Sequence, residues 1–128
     1  MRRQSNIEIY VKGCPTNKLI AWIAQQIGTL DRASAFDGQI VYDSRIGPVT
    51  IAVEDSSFTS AHFQSADTPW VTDVDCARQA ARELRCIVRC DPGEHFPDVH
   101  SLSDTFLQIT ADGQESLLTI DEIEGRRE

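Results

Sequence analysis

Hydrophobic positions near the start of the chain alternate with polar ones and then change to a helical spacing. Ile7, Ile9 and Val11 are separated by polar side chains, which predicts a half-buried strand. Apolar residues then recur every three to four positions, at Leu19, Ile20, Ile23 and Ile27. This spacing predicts a helix over about residues 16–27, with Thr16 as its N-cap and Gly28 at its C-terminal end.

The middle of the chain has the composition of strands and turns. Segments 39–43 and 48–54 are rich in β-branched and aromatic residues, and the turn-forming segment 44–47 lies between them. A weaker strand is predicted at 61–64. The rest of segment 56–72 is rich in Ser, Thr and Asp, so we expect part of it to be a loop.

A second helix is predicted to begin at Thr72 or Asp73, because both residue types are good N-caps. Its apolar positions follow helical spacing: Val74, Ala77, Ala81 and Leu84. A strand is then predicted over 86–90, followed by a turn at 91–93 and a loop to about 103. Segments 105–110 and 116–120 flank Asp112-Gly113, which indicates a hairpin.

This element order predicts one α+β domain over residues 1–128, with a charged tail that frays from about 122. We expect a two-layer sandwich, with two helices packed on one face of a mostly antiparallel sheet of about five to seven strands. The order of elements resembles the split βαβ pattern of ferredoxin-like folds, with additional strands.

The composition excludes several classes of function. The chain carries 20 acidic and 12 basic residues, a net charge of −8, so we expect no nucleic-acid binding. It contains no apolar run long enough to span a membrane and no signal-peptide pattern, which predicts a cytoplasmic protein without membrane contact. The four cysteines are then expected to be reduced thiols, and no motif indicates a cofactor.

Cys14 lies at a predicted strand-to-helix turn. A helix N-terminus favours the thiolate form of a nearby cysteine, so Cys14 is a candidate nucleophile or redox sensor. The position is similar to that of the single redox cysteine of glutaredoxin-like thioredoxin folds. A second cysteine at C-x-x-C spacing is missing, because residue 17 is Asn. The alternative is a structural cysteine.

Two cysteines and two histidines have a spacing that suggests a metal site: Cys86, Cys90, His95 and His100. A strand over 86–90 would separate its two thiols by about 13 Å along the chain. Two sulfur ligands of one zinc ion lie within about 4 Å of each other. We therefore predict no metal site, and we expect Cys86, Val88 and Cys90 to face the core on one side of the strand.

Three arginines at helical spacing form a candidate site for an anion or an acidic partner: Arg78, Arg82 and Arg85. The alternative is an exposed helix face whose arginine stems cover the edge of the core. Arg89 has the same spacing but leaves the row if 86–90 is a strand.

Acidic residues are concentrated in the middle of the chain, where segment 31–75 has eight acids and two basic residues. Such a concentration can steer a basic partner. Aromatic residues in segment 56–72 either pack against the sheet or anchor a partner. The predicted partner-binding residues are Asp43, Glu54, Asp55, Phe58, Phe63, Asp67 and Trp70.

Two hypotheses for function follow. The first is a non-enzymatic binding protein that docks a basic protein. Small acidic α/β proteins of this kind look like bacterial immunity or antitoxin proteins, which neutralise nuclease toxins that are often basic. This resemblance rests on size, charge and the absence of recognised catalytic motifs. The second hypothesis is a thiol-dependent enzyme or redox sensor that uses Cys14. The residue pattern favours the first.

Overall fold

A computed structural model describes residues 3–53, 57–93 and 105–119 of the chain. The described part is built from eight strands and two helices. In chain order they are β1 (Ile7–Lys12), α1 (Thr16–Ile27), β2 (Asp31–Phe36), β3 (Gln39–Asp43), β4 (Val49–Val53), β5 (Phe58–Phe63), α2 (Asp73–Leu84), β6 (Val88–Cys90), β7 (Thr105–Ile109) and β8 (Glu115–Thr119). The α+β class is therefore confirmed.

The described strands form one sheet in the order β2-β3-β4-β5-β1-β6-β7-β8, and every neighbouring pair is antiparallel. The prediction of five to seven strands was wrong, because β2 was missed. All six residues of β2 are exposed, so its sequence lacks the apolar alternation that marks a half-buried strand. At the centre, β1, α1, β4, β5, α2 and β6 follow the β-α-β-β-α-β order.

One face of the sheet, here called the inner face, supplies the core. Ile9 of β1 lies opposite Ala61 of β5, which in turn lies opposite Ile51 of β4, and all three are almost fully buried. The same buried cluster includes apolar positions of both helices: Leu19, Ile23 and Ile27 of α1, and Val74, Ala77, Ala81 and Leu84 of α2. Burial of a large aliphatic side chain contributes about 1.5–3 kcal/mol, so this cluster is the main source of stability.

The helix ends agree with the sequence prediction except at one cap. Helix α1 covers the predicted residues, and the N–H of Gly28 donates to the carbonyl of Ala24. Its N-cap is Pro15, with no side-chain cap, and Thr16 is the first helical residue. Of the two predicted caps of α2, the structure has Thr72, whose Oγ1 accepts a 3.3 Å hydrogen bond from the N–H of Asp75.

Aromatic side chains connect the two helices to β5. The Trp22 ring of α1 stacks on Trp70 at 5.7 Å, and Trp70 contacts Phe63 at 5.1 Å between ring centroids. Each indole N–H donates to a side chain of α2, Trp22 to Glu83 at 2.9 Å and Trp70 to Gln79 at 2.7 Å. These bonds satisfy the polar atoms of both buried rings.

Both helices of the described residues have 12 residues, which corresponds to a length of about 18 Å. Neither is long and apolar enough to cross a bilayer.

Candidate protein-docking surface

Strands β2 and β3 form a hairpin over residues 31–43, here called the acidic hairpin. Asp37 and Gly38 connect the strands with φ values of 49° and 77°, so both turn residues have the positive φ of a two-residue type I′ turn. Glycine adopts this conformation without strain, and aspartate is one of the few other residues that tolerate it. Asp31, Asp37 and Asp43 are all exposed on this hairpin.

Two of these acids lie directly opposite each other. Asp31 of β2 pairs with Asp43 of β3 in the sheet register, which places both side chains on the same face of neighbouring strands. Like charges in this arrangement destabilise a sheet. The two aspartates line a cleft of about 360 Å³ together with Thr29, Ser44 and Arg45. The cleft therefore brings two carboxylates together with one guanidinium, that of Arg45.

The base of the acidic hairpin is attached to the C-terminal end of α1. The Nε–H of Arg45 donates a 2.8 Å hydrogen bond to the carbonyl of Ile27, the last residue of α1. The last carbonyls of a helix have no partner within it and carry partial negative charge. Arg45 satisfies one of them, and this contact fixes the cleft beside the helix end.

The aromatic residues predicted to anchor a partner are inside the protein. Phe58, Phe63 and Trp70 are 7%, 0% and 3% exposed. Phe58 and Phe63 belong to β5, which confirms the weaker strand predicted at 61–64 and shows that it begins earlier, so the expectation of a loop was wrong for residues 58–60. Phe63 and Trp70 pack in the core, and the ring of Phe58 lies under the guanidinium of Arg89, 4.5 Å from the ring centroid. We therefore do not assign them contact with a partner.

The remaining predicted partner-binding residues are separated in the structure. Asp43 is in the acidic hairpin, and Asp67 is exposed in the connection between β5 and α2. Glu54 and Asp55 lie outside the described residues. Sequence spacing does not single out Asp31, because its position opposite Asp43 depends on β2, which the sequence pattern does not predict.

The arginine row of α2 does not form one continuous cationic surface. Arg78 donates to both carboxylate oxygens of Glu115 in β8, at 2.7 Å and 3.0 Å. Arg82 lies 3.6 Å from Glu83, and Arg85 ends the helix in the left-handed conformation. Arg89 has left the row as expected, because it lies in β6 and bonds Gln108 at 2.8 Å. A role in binding anions stays a prediction.

The environment of Cys14 is not that of an activated thiol. Burial and, to a smaller extent, the neighbouring Cys86 raise its pKa to about 11, while Lys18 acts in the opposite direction. The Sγ atom lies 3.6 Å from the carbonyl of Pro15, to which it donates. A thiol with this pKa is protonated at neutral pH, whereas nucleophilic cysteines have lowered values. The thiol-dependent function stays a prediction.

Cys86 and Cys90 differ in position. Cys90 is buried on the inner face of β6 together with Val88, but Cys86 lies before the strand and is half-buried. The expectation that all three residues share a strand face is therefore wrong for Cys86. His95 and His100 lie outside the described residues. Within the described ranges, no group of three His, Cys, Asp or Glu side chains is arranged to hold a metal ion.

A second cleft, of about 580 Å³, lies at the N-terminus of α2 and was not predicted from the sequence. Its lining includes Arg3, Asn6, Asp73 and Asp91. Burial raises the pKa of Asp73 to about 6, because a charged carboxylate is poorly solvated there. Its Oδ1 accepts a 2.9 Å hydrogen bond from the N–H of Glu8. Asp73 therefore ties α2 to β1, a role that sequence spacing does not reveal.

Comparisons with protein-family models, curated proteins and solved structures found no match to this chain. The geometry of the chain's own residues therefore carries the functional argument.

Proposed function

We propose that this protein is a non-enzymatic, acidic binding domain that docks a basic protein through its acidic hairpin. The observation that carries the proposal is the cross-strand pair of Asp31 and Asp43, which line one cleft and outnumber its single basic residue, Arg45. In this proposal the helices cover one face of the sheet as one layer of a two-layer sandwich, and the hairpin extends from it.

The energetics of the Asp31–Asp43 pair support this function. Two like charges on neighbouring strand positions cost stability in the free protein. A lysine or arginine side chain of a partner would lie between them and convert this repulsion into attraction. The remaining net negative charge would steer the encounter and raise the association rate.

We extend the proposal to the class of partner. A protein that acts on nucleic acid needs a basic surface, because neutralisation of phosphates supplies much of its affinity. An acidic domain that covers such a surface would compete with the nucleic acid for the same positive charges. This is how an immunity-like or antitoxin-like inhibitor would act, and a cytoplasmic location fits that role.

The test is a quantitative pull-down from native lysate with the full chain as bait, at about 20 mM and about 300 mM salt. The captured proteins are identified and quantified by mass spectrometry. We expect one basic protein to be enriched at the lower salt concentration. Its recovery should fall at least about tenfold for the Asp31→Asn/Asp43→Asn variant, because the steering charges are lost.

The matched control is Asp91→Asn/Asp112→Asn, which removes the same number of charges away from the hairpin. Both aspartates are exposed and accept local hydrogen bonds that asparagine can also accept. Its recovery of the partner should stay within about twofold of the original chain. Equal losses of the partner with both double variants would show that only net charge matters, which would overturn the role of the acidic hairpin. An absence of any basic partner would overturn the whole proposal.

A further inference from the structure

The acidic hairpin ends the sheet with an edge strand, and its open backbone is a second feature of the same region. Strand β2 pairs only with β3 among the described strands. No backbone hydrogen bond joins it to another described segment beyond that ladder. All six of its residues are exposed, including Phe36 at 75%. An edge of this kind is a template for a further strand.

The turn geometry shows which backbone groups of β2 are available. In the two-residue turn, Phe36 and Gln39 face each other and exchange the hydrogen bond that closes the hairpin. Successive residues of a strand direct their N–H and C=O groups to opposite sides. The backbone groups of Ala35 therefore point away from β3, toward the open edge.

A bulge restricts how this edge can be used. The register shifts between Arg32 and Ser34, so one extra residue of β2 lies opposite β3 there. Bulges of this kind disturb pairing and protect edges from unselective association. The regular part of the edge is short, from Ser34 to Phe36, and Asp31 lies beyond the bulge.

The side chains of β2 define what an added strand should carry. Asp31, Ser34 and Phe36 lie on the same face as Asp43, Val41 and Gln39 of β3. On β3, Gln39 lies opposite Phe36, and Asp43, four positions later, lies opposite Asp31. We expect the same spacing of four positions on a regular strand that pairs with the other edge of β2. An antiparallel strand would therefore need an apolar residue near Phe36 and a basic residue four positions later, near Asp31 and Asp43.

We propose that β2 accepts an extended segment of the basic partner as a ninth, antiparallel strand, with an apolar residue at one position and lysine or arginine four positions later. The inference rests on the proposed function and names the mode of binding. Main-chain hydrogen bonds at Ala35 would supply affinity, and the acidic pair would supply selectivity. A second copy of this chain is the poorer occupant, because each copy carries a net charge of −8.

The probe is an acetylated peptide amide with the sequence Thr-Val-Thr-Ser-Thr-Lys-Thr, titrated into the isotope-labelled full chain and followed by NMR. We expect amide shifts confined to β2 and the cleft beside Asp31 and Asp43. Replacement of the peptide lysine by glutamate should weaken binding at least about tenfold, because like charges then face each other.

Two substitutions at one residue separate strand addition from attraction between charges. Ala35→Pro removes the outward N–H and keeps the acids, and proline is tolerated on an edge strand. Ala35→Thr is the matched control, because threonine keeps the N–H at this exposed position. The proline variant should bind the peptide at least about fivefold more weakly, and the threonine variant should bind like the original chain.

Hydrogen exchange of the Ala35 amide in the unsubstituted chain gives a readout that does not depend on folding of the proline variant. The peptide should slow this exchange if a strand is added. Unchanged exchange, or unchanged affinity of a folded Ala35→Pro variant, would overturn strand addition. So would β2 shifts that grow with protein concentration alone, which would identify a second copy as the occupant. The proposed function is tested separately: it fails if recovery of the partner in the pull-down does not depend on Asp31 and Asp43.

Discussion

The two outer hairpins of the sheet both turn at an Asp-Gly dipeptide, but they are held by different contacts. In the β7–β8 hairpin, Leu107 and Ile109 enter the core, and Glu115 is bound by Arg78 of α2. In the acidic hairpin, Ile40, Val41 and Tyr42 are only half-buried, and every residue of β2 is exposed. One hairpin thus contributes to the core, and the other leaves its charges and the backbone of its edge strand exposed.

The largest expected difference between the hairpins is in their response to loss of an aliphatic side chain. Leu107→Ala should lower the free energy of unfolding by about 2–5 kcal/mol, because the side chain is fully buried. Ile40→Ala is the matched change in the acidic hairpin and should cost less than about 1.5 kcal/mol, because this site is half-buried. Urea unfolding measures both values, and equal costs would contradict the contrast.

A pH series distinguishes a buried acid from the exposed acids of the hairpin. The pKa of Asp73 is raised from 3.8 to about 6 by burial, so the native state binds a proton more tightly than the unfolded state. Stability should therefore fall as pH rises from about 4 to about 6, and the cost above pH 6 is about 2–3 kcal/mol. Asp73→Asn should remove this cost and be the more stable protein at pH 7.

The readout is the difference in free energy of unfolding between Asp73→Asn and the unsubstituted chain at pH 4 and pH 7. The asparagine can still accept the hydrogen bond from Glu8, so the comparison isolates the charge. Asp112→Asn is the control. Its difference in free energy of unfolding should change with pH in the opposite direction, because a hydrogen bond from Thr110 lowers the pKa of Asp112. A difference that does not change with pH would show that Asp73 stays charged without cost.

The contact between Arg78 and Glu115 can be removed to make the β7–β8 hairpin resemble the acidic one. The pair is bidentate but partly exposed, so Arg78→Met should cost about 0.5–1 kcal/mol at low salt and less at high salt. Amide exchange in β8 should become faster while exchange in β2 stays the same. Exchange that is unchanged in β8 would mean that the ion pair does not hold this edge.

The smallest expected effect is also the most informative about the acidic hairpin. Asp31→Asn should raise stability by about 0.2–1 kcal/mol, because it removes repulsion from Asp43. Asp37→Asn is the matched control, since Asp37 is at the turn and has no acid opposite it, and asparagine tolerates the same positive φ. Thermal unfolding at low salt compares the two, and equal effects would indicate general charge relief.

The sequence predicts the elements that contribute to the core better than it predicts the exposed acidic hairpin, for a physical reason. Burial imposes periodic apolar positions, so β1, α1 and α2 were predicted within a few residues. β2 has no buried face and therefore no such pattern, although Asp37-Gly38 was a hairpin signal that could have indicated it. The position of Asp31 opposite Asp43 follows from strand pairing, which spacing along the chain does not encode.

Aromatic and thiol side chains show the same limit. Trp70 lies in a polar segment of the sequence, but its ring is buried between Trp22 and Phe63, which come from distant parts of the chain. Cys14 is next to a helix N-terminus, as predicted, but burial and Cys86 raise its pKa. In both cases the contacts that determine burial and pKa come from residues far away in the chain. Local sequence therefore predicts the secondary structure around a residue but not its surroundings.

The central claim is that the acidic hairpin captures a basic partner by its charge arrangement. It is tested most directly by the association rate with the partner recovered in the pull-down, measured by stopped flow at several salt concentrations. We predict that Asp31→Asn/Asp43→Asn slows association at least about tenfold at low salt and flattens its salt dependence. The Asp91→Asn/Asp112→Asn control should change the rate less than about twofold. Equal rates for the two double variants would contradict the account.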